Sequence, residues 1–560
     1  MPGSMLTRLL CAIAVVIGIA VGAVALLVPS SNGVSSGSDA AGPPLPGSSR
    51  TAVRAAGDQA AWLIDENRKL GTLDWQVKGP INKGNIEGFA DATSINKGES
   101  VRLFVSTDSP GYRVEAYRMG YYGGLQGRLI WRSPNLPGSR QAAPLVDPTT
   151  RMVEAKWRPS LTLTADATWP PGDYLIKLVA DNGFQQYVPL ALRDDSSHAP
   201  LLVMNAVTTW QAYNNWGGNS LYEGRSGPKA QVTPGMRSQV VSFDRPYIND
   251  SGAGDFLGNE LPLVTLVESL GLDVSYWTNV DLQQRPELLA NHKALLTLGH
   301  DEYWTLEMRQ AVESARDGGI NVAFFGANAL YRAIRFGPSE TGANRREINY
   351  RSARDDPFTG KDNSRVTVSW REPPLNRAES ALVGTYYECN PVKADLVVAD
   401  PSAWVFAGTG LGAGDKLKNV VGPEFDRYDK FAPQPPGPLQ VLSHSPVRCR
   451  GKATFSNMTY YSTPSGAGVF ATGTNWWISR LGPACPPDDC IDEKVVQITE
   501  NVLKVFAVGP AGQGHPSVSN LSRLGTLNSS TTSTTRFSTS LPEETNQQFT
   551  TSTPTSRRNP

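Results

Sequence analysis

The sequence predicts an α/β doubly wound parallel sheet preceded by an all-β sandwich domain, with an N-terminal transmembrane helix and a disordered C-terminal tail. Three observations carry this prediction. Short apolar segments alternate with turn residues over 71–195, strand and helix patterns alternate over 196–510, and both ends of the 560-residue chain have a biased composition. A chain of this length exceeds one compact core, so more than one domain is expected.

The first segment, residues 1–28, contains the uncharged, mainly apolar stretch Leu9–Val28 directly after Arg8. As a helix it would rise about 30 Å, enough to cross a bilayer. Arg8 favours a cytoplasmic N-terminus, which places the folded domains outside the cytoplasm, anchored in the cell envelope. A cleaved signal peptide is the alternative, because Ala23-Val24-Ala25 offers a small-residue cleavage site. The protein would then be secreted.

Composition also defines a linker and a tail. Residues 29–70 begin with a Ser-, Gly-, Pro- and Ala-rich stretch that predicts a flexible tether. Residues 511–560 are rich in Ser and Thr and predict disorder. Lys+Arg and Asp+Glu are both 52, so no net positive charge attracts nucleic acid, and none is expected as a partner.

The cysteines outside the first segment number four, which in an exported chain predicts two disulfides. Cys485 and Cys490 close a short loop and are paired first, which leaves Cys389 with Cys449. A zinc site is a poor alternative, because the sequence has no CxxC and no neighbouring histidine pair.

Residues 71–195 show the rhythm of a β-sandwich. The segments 101–106, 112–119 and 174–180 have strand composition, and Asp181-Asn182-Gly183 predicts a turn before a further strand. Repeated short strands without a long helix are typical of a sandwich.

From about residue 199, strands alternate with helices. A helix is predicted over 306–317, with Thr305 as its N-cap and Gly318 just past its end. Another helical pattern covers 260–271. The predicted strands are 199–206, 273–278, 293–298 and 320–326. This alternation indicates a parallel sheet with helices on both faces, where ligands bind beyond the carboxyl ends of the strands.

The stretch LGHDEYW, 298–304, follows one such strand end. His300 and Glu302 are two residues apart, so they could bind a metal or act as acid and base. The structural alternative is that His300 or Asp301 caps the next helix and Glu302 is solvated. No GxSxG or GxCxG motif occupies this turn, which disfavours a nucleophile-elbow hydrolase.

Three other residues are candidates for the same site. Tyr213 lies in an aromatic stretch, TTWQAYNNWGGNSLY, that packing or sugar stacking would explain equally well. Tyr247 of SFDRPY could face a site or pack in a core. Glu424 of VVGPEFD could be a general base or a solvated loop carboxylate.

Taken together, these stretches resemble the N,N-dimethylformamidase large (beta) subunit-like family. The resemblance rests on YRMGYYGG, TWQAYNNWGG, SFDRPY, GHDEYW, FFGAN, VVGPEFD and VFATGTNWW, in that order over about residues 100–480. It implies a β-sandwich followed by a domain similar to class I glutamine amidotransferases without the nucleophilic cysteine. It also implies hydrolysis of a small dialkyl amide.

The same resemblance implies one iron ion, expected as Fe(III), held by two tyrosines and a glutamate. The glutamate falls on Glu302, and Tyr213 and Tyr247 are the matches for the tyrosines, with Tyr222 as a competitor. His300 and Asn328 match active-site residues, and Glu424 is the candidate second glutamate. The resemblance would have Glu424 transfer protons, Asn328 bind the oxyanion and His300 orient its neighbours.

The predicted function is therefore an exported, membrane-tethered, metal-dependent hydrolase of a linear amide-type C–N bond, with a small amide as substrate. One alternative is a non-catalytic cell-envelope protein that binds glycan or peptide on the same scaffold. Another is a metal-free enzyme that uses Glu302 and Glu424 as acid and base. The sequence leaves open the substrate, and whether the chain forms a homo-oligomer or binds a small accessory subunit.

Overall fold

The N-terminal half is built from two facing sheets whose strands are antiparallel except for Ser94–Asn96, which pairs parallel with Gln185–Arg193. A computed structural model describes residues 59–225, 231–482 and 491–524. One sheet has the order Ile86–Ala90, Ser100–Thr107, Leu161–Thr164. The other has the order Ser94–Asn96, Gln185–Arg193, Gly172–Ala180, Gly111–Met119, Gly127–Arg132, with Leu136–Pro137 also paired to Gly111–Met119.

The alternating pattern of the sequence explains how these sheets pack. Val101 and Leu103 are buried, whereas Arg102 between them is exposed. The turn before Gln185–Arg193 contains Gly183 with φ of +89°, a conformation that favours glycine. The strands predicted in this region are confirmed, with ends that differ by one or two residues.

The second half is organised around a seven-stranded sheet. Its order is Val274–Thr278, Leu201–Asn205, Ala294–Thr297, Asn321–Phe324, Gly468–Ala471, Thr459–Ser462, Gln440–Val441. The first five strands run parallel and the last two pair antiparallel. The first four strands match predicted segments.

Helices cover both faces of the parallel strands. Leu261–Ser269 and Glu493–Val508 pack over one face, in a core that includes Val203 and Leu296. Asn279–Gln284 and Leu306–Asp317 pack over the other. The helix predicted over 306–317 is confirmed. Thr305 Oγ1 accepts a hydrogen bond from the Met308 N–H, and Gly318 follows its last residue.

The predicted fold class is nevertheless wrong for the chain. β-sheets predominate, helices account for 22%, and this composition does not support a doubly wound, amidotransferase-like α/β fold. The physical reason lies between Asn321–Phe324 and Gly468–Ala471. There the chain forms short β-pairs instead of a crossover helix. These pairs are Arg332–Gly337 with Arg346–Ile348, Tyr386–Cys389 with Phe425–Arg427, Ala394–Val397 with Lys416–Val421, and Ser445–Cys449 with Lys452–Ser456.

The remaining elements are short. The helices are Ala61–Asn67, Val207–Tyr213, Phe256–Asn259, Ser380–Val383, Ala511–Gly514 and Leu521–Leu524. The strands are Leu145–Val146, Val153–Glu154, Gly224–Arg225, Val232–Thr233, Val240–Ser242 and Tyr303–Thr305. Ala61–Asn67 lies inside the predicted linker 29–70, and the helices after 510 lie inside the predicted tail 511–560.

Most residues covered by the predictions for the two chain ends are not described by the structure. The segment Leu9–Val28, most of the linker and residues 525–560 lie outside the described residues, as do Cys485 and Cys490. Within the described ranges, no helix is both long and apolar enough to cross a membrane. The predicted Cys389–Cys449 disulfide is confirmed.

A buried ion pair joins the two halves. Arg118 of Gly111–Met119 donates two hydrogen bonds to Glu268 of Leu261–Ser269, at 2.7 and 3.1 Å. Both side chains are fully buried. The predicted domain boundary near 195 remains a prediction.

Candidate active site

The candidate site lies beyond the carboxyl ends of two adjacent parallel strands, Ala294–Thr297 and Asn321–Phe324. The segments that leave these strands run very close together. A Cβ atom on Gly326 would lie 1.8 Å from the carbonyl oxygen of Gly299, and Gly299 itself has φ of +53°. The two glycines therefore let the polar residues that follow them meet in one place.

Glu302 is at the centre of the site and is fully buried. Its backbone N–H donates to Thr209 Oγ1 at 2.9 Å, which ties it to the helix Val207–Tyr213. The hydroxyls of Tyr213 and Tyr222 both donate to its Oε2, at 3.0 and 2.6 Å. The two phenol rings stack with centroids 4.1 Å apart. Three oxygen atoms from distant parts of the sequence thus converge.

A chain of hydrogen bonds supports this cluster from behind. Arg351 Nη2 donates to the hydroxyl of Tyr303 at 2.7 Å, and Tyr303 donates to that of Tyr222 at 2.7 Å. The Arg351 guanidinium also lies over the Tyr222 ring, 4.1 Å from its centroid. Burial and the charge of Glu302 hold the pKa of Tyr222 well above its usual value. Tyr222 is therefore a neutral donor in this arrangement.

A second group of polar residues lies beside Glu302. His300 Nε2 is 3.1 Å from Glu424 Oε2 and 3.5 Å from Glu302 Oε2. Asn328 Nδ2 donates to Glu424 Oε2 at 3.0 Å and lies 3.2 Å from His300 Nε2. Burial opposes the charged imidazolium, but Glu424 and Glu302 raise the pKa of His300 to about 9. His300 is therefore positively charged at neutral pH.

Glu424 is held from several sides. Asn390 Nδ2 donates to its Oε1 at 3.0 Å, and Asn475 Nδ2 donates to its Oε2 at 3.2 Å. Arg450 Nη2 in turn donates to Asn390 Oδ1 at 3.0 Å. Burial disfavours the carboxylate, yet His300 and these amides keep the pKa of Glu424 below its usual value. Glu424 is thus an oriented anion.

Part of the site reaches solvent. The His300 side chain is 11% exposed, whereas Glu302 has no exposure. Tyr213 and Asn390 are half-buried. Solvent therefore reaches His300 but not Glu302.

Tyr247 is the one predicted site residue that the structure does not bring to this cluster. Its ring packs edge-on against Trp210, with centroids 6.1 Å apart, in a different hydrophobic cluster. Tyr222, which competed with it in the sequence analysis, lies at Glu302 instead. The motif SFDRPY identified the loop but could not fix where that loop runs in three dimensions.

The donor set at Glu302 suits a hard cation. Two phenol oxygens lie within hydrogen-bonding distance of one carboxylate oxygen, and all three are hard donors. No cluster of three or more His, Cys, Asp and Glu side chains in the described part of the chain is arranged to hold a metal ion. A metal site here would therefore depend on the tyrosines.

Comparison with known proteins decides the family. A family model described as N,N-dimethylformamidase beta subunit-like, C-terminal, matches residues 113–490. The chain belongs to this N,N-dimethylformamidase beta subunit-like family. The match includes every candidate site residue discussed above, which confirms the resemblance noted in the sequence.

Two curated relatives carry the name N,N-dimethylformamidase beta subunit. The chain is 26% identical to that of Alcaligenes sp and 25% identical to that of Paracoccus aminophilus, each over 357 residues. The matches cover 56% of this chain and 44% of each relative, so the chain matches less than half of their length.

One solved structure, a Paenibacillus sp. cycloisomaltooligosaccharide glucanotransferase complexed with cycloisomaltoheptaose, is 9% identical. Its match covers 47% of this chain and 33% of that protein, with a TM-score of 0.14, which carries no argument about the fold.

Several site residues were missed by the sequence analysis. Asn390 and Asn475 contact Glu424, and Arg351 supports Tyr303, but none of them belongs to a motif that signals chemistry by itself. Asn475 lies in VFATGTNWW, and its position after the strand Gly468–Ala471 was a usable signal. Asn390 and Arg351 come from irregular segments whose position only folding determines.

Proposed function

We propose that this chain hydrolyses a linear, non-peptide amide-type C–N bond. The observation that carries the proposal is the convergence of Tyr213, Tyr222 and Glu302 beside the pair His300 and Glu424. The family supports it, since the named relatives are subunits of an amide-hydrolysing enzyme. A small dialkyl amide is the substrate class we propose.

We further propose that Tyr213, Tyr222 and Glu302 hold one ferric ion. The three oxygens form a hard, anionic set once the phenols lose their protons, and such a set favours a trivalent ion. When bound there, iron supplies Lewis acidity to the reacting carbonyl and to water. Arg351, packed on Tyr222, limits the negative charge that accumulates at the cluster.

The polar residues beside Glu302 would assist the proton transfers. Glu424 is an oriented carboxylate, so it would accept a proton from the attacking water and return it to the leaving amine. One water is consumed, the C–N bond breaks, and a carboxylic acid and an amine are formed. Asn328 Nδ2 would donate to the oxygen of the former carbonyl, where negative charge develops.

His300 would set the electrostatics of this reaction. Its positive charge lies 3.1 Å from Glu424 and 3.5 Å from Glu302. It keeps Glu424 ionised and orients it toward the position of the water. We therefore assign His300 a positioning role, with Glu424 as the proton-transfer residue.

The test begins with metal content and activity of the purified full chain. We expect iron close to one equivalent, a visible phenolate-to-iron absorption, and hydrolysis of small dialkyl amides. Glu424→Gln should keep the iron and the spectrum but lower kcat by roughly 10²- to 10⁴-fold. Glu287→Gln, a change at an exposed carboxylate, is the matched control and should retain full activity.

Other outcomes point to the alternatives. Activity that survives removal of iron but is lost in Glu424→Gln would contradict the metal assignment and favour a metal-free acid–base enzyme. A folded chain with neither iron nor amidase activity, even after ferric reconstitution, would contradict the proposal and favour a binding protein.

We also propose that the protein is exported. The Cys389–Cys449 disulfide supports this location, because such bonds persist in oxidising compartments. Cell fractionation with thiol labelling tests it. Recovery of the chain in the cytosol with both thiols free would contradict export.

A further inference from the structure

A cavity lies between the two halves of the chain, apart from the Glu302 cluster. Its walls include Phe89 from the sandwich strand Ile86–Ala90 and Phe243 from the second half. We call it the seam cavity and define it by four of its polar residues, Asp173, Asn205, Arg245 and Tyr247; Thr93, Thr278 and Arg345 also line it. None of these belongs to the proposed amidase machinery.

Two of the four polar residues have an atom without a partner. Arg245 Nε and Tyr247 Oη are buried and make no hydrogen bond to any described residue, whereas the side chains of Asp173 and Asn205 are hydrogen-bonded to each other. Asp173, Asn205 and Arg245 are themselves no more than 4% exposed. Burying a polar atom without a partner costs about 1–3 kcal/mol, so two such donors at one cavity indicate a polar ligand.

Arg245 determines the charge of that ligand. Its Nη atoms donate hydrogen bonds to the backbone carbonyls of residues 211, 214, 216 and 219. These carbonyls satisfy the Nη donors but do not neutralise the positive charge of the guanidinium. Within the described ranges, no carboxylate lies within ion-pairing distance of Arg245. Its nearest electrostatic partners are Tyr247 and the buried Glu347. A buried cation without a paired anion is costly, so the cavity favours an anionic ligand.

The size of the cavity limits the ligand further. Its volume is about 40 Å³, which at 10–15 Å³ for each water-sized atom admits roughly three or four non-hydrogen atoms. Formate and acetate have this size, whereas benzoate does not fit. Guanidinium groups also match carboxylates well in geometry and hydrogen bonding.

We propose that the seam cavity is a binding site for a small monocarboxylate of the size of formate or acetate. Arg245 Nε and the Tyr247 hydroxyl donate to the carboxylate oxygens, and Phe89 and Phe243 enclose the remaining atoms. This site does not rest on the amidase proposal, because it uses none of the same residues and requires no turnover.

Asp173 makes ligand binding in the seam cavity depend on pH. Burial raises the pKa of Asp173 to about 7, the charge of Glu268 adds to this, and the hydrogen bond with Asn205 and the charge of Arg118 oppose it; below that pH Asp173 is a neutral acid. As an anion it would repel the ligand. Carboxylate binding should therefore be tighter on the acid side of neutrality.

The test is a titration of acetate into the purified full chain, followed by calorimetry and thermal shift. Acetamide has the same shape without the charge and serves as the matched probe. We expect acetate to bind and raise Tm, with acetamide and benzoate much weaker. Comparable binding of acetate and acetamide, or no binding of either formate or acetate, would overturn the proposal.

Two variants locate the site. Tyr247→Phe removes only an oxygen that has no described partner, so the protein should fold normally while its acetate affinity falls about tenfold or more. Glu424→Gln alters the proposed active site and should leave acetate affinity unchanged. Unchanged affinity in Tyr247→Phe, or lost affinity in Glu424→Gln, would overturn the assignment to the seam cavity. Arg245→Met is less informative, because Arg245 also holds the loop that follows Tyr213.

Discussion

The hydroxyl of Tyr222 donates a 2.6 Å hydrogen bond to Oε2 of Glu302, from a position 80 residues earlier in the chain. This contact, rather than any involving Tyr247, completes the set of oxygen atoms around Glu302. The two tyrosines therefore belong to different sites, and each site makes its own experimental prediction.

Tyr222→Phe should abolish stoichiometric iron binding, because it removes one of three oxygen donors at Glu302. Tyr247→Phe is its matched control and should retain the iron and its visible absorption. Metal analysis and absorption spectroscopy of the two purified variants check this. Loss of iron in Tyr247→Phe with retention in Tyr222→Phe would restore the ligand set that the sequence predicted.

Removal of the Cys389–Cys449 disulfide should lower the free energy of unfolding by about 4 kcal/mol, as expected for a closed loop of 60 residues. It should also lower kcat, because Asn390 and Arg450 directly follow the two cysteines and orient Glu424. Denaturant unfolding and amide hydrolysis of Cys389→Ser/Cys449→Ser measure the two effects. A double variant as stable as the wild type under oxidising conditions would contradict the expected loss of stability.

Arg118→Met should destabilise the protein by about 3–5 kcal/mol, since it leaves Glu268 buried without its cation. Arg68→Met is a suitable control, because Arg68 is exposed and its ion pair with Asp65 spans 3.5 Å. The control should change stability by less than about 1 kcal/mol. Urea unfolding of both variants checks the difference. Equal changes in the free energy of unfolding would show that the contact between the two halves does not depend on the Arg118–Glu268 pair.

Glu154 should make stability depend on pH under acidic conditions. Burial disfavours its charge, but hydrogen bonds from Arg346, Lys156 and Ser242 lower its pKa from 4.5 to about 2. The unfolded chain therefore takes up this proton at a higher pH than the folded chain does. The stabilisation is complete above about pH 4.5 and is lost as the pH falls to about 2.

The expected size of this effect is about 2 kcal/mol, since solvent reaches Arg346 and screens part of the interaction. Glu154→Gln should remove that part of the pH dependence, and Glu287→Gln should not. Unfolding free energies measured across this range decide the matter. An identical pH profile in wild type and Glu154→Gln would exclude Glu154 as the source.

Local sequence determined much of the secondary structure. Several signals act within a few residues of the chain: the apolar alternation around Val101 and Leu103, the helix cap at Thr305 and the turn at Gly183. The structure confirms the elements that these signals predicted. The position of His300 and Glu302 after a predicted strand, and the resemblance that added Asn328, likewise identified residues of one site, because adjacent parallel strands bring their carboxyl ends together.

Only the tertiary structure decided the fold class and the completed site. The short β-pairs between Asn321–Phe324 and Gly468–Ala471 depend on partners distant in sequence, which local periodicity does not encode. For the same reason, sequence could not choose Tyr222 over Tyr247 or show that Asn390 reaches Glu424. Residue type and spacing set which chemistry a segment can perform, whereas long-range packing sets which side chains share one site.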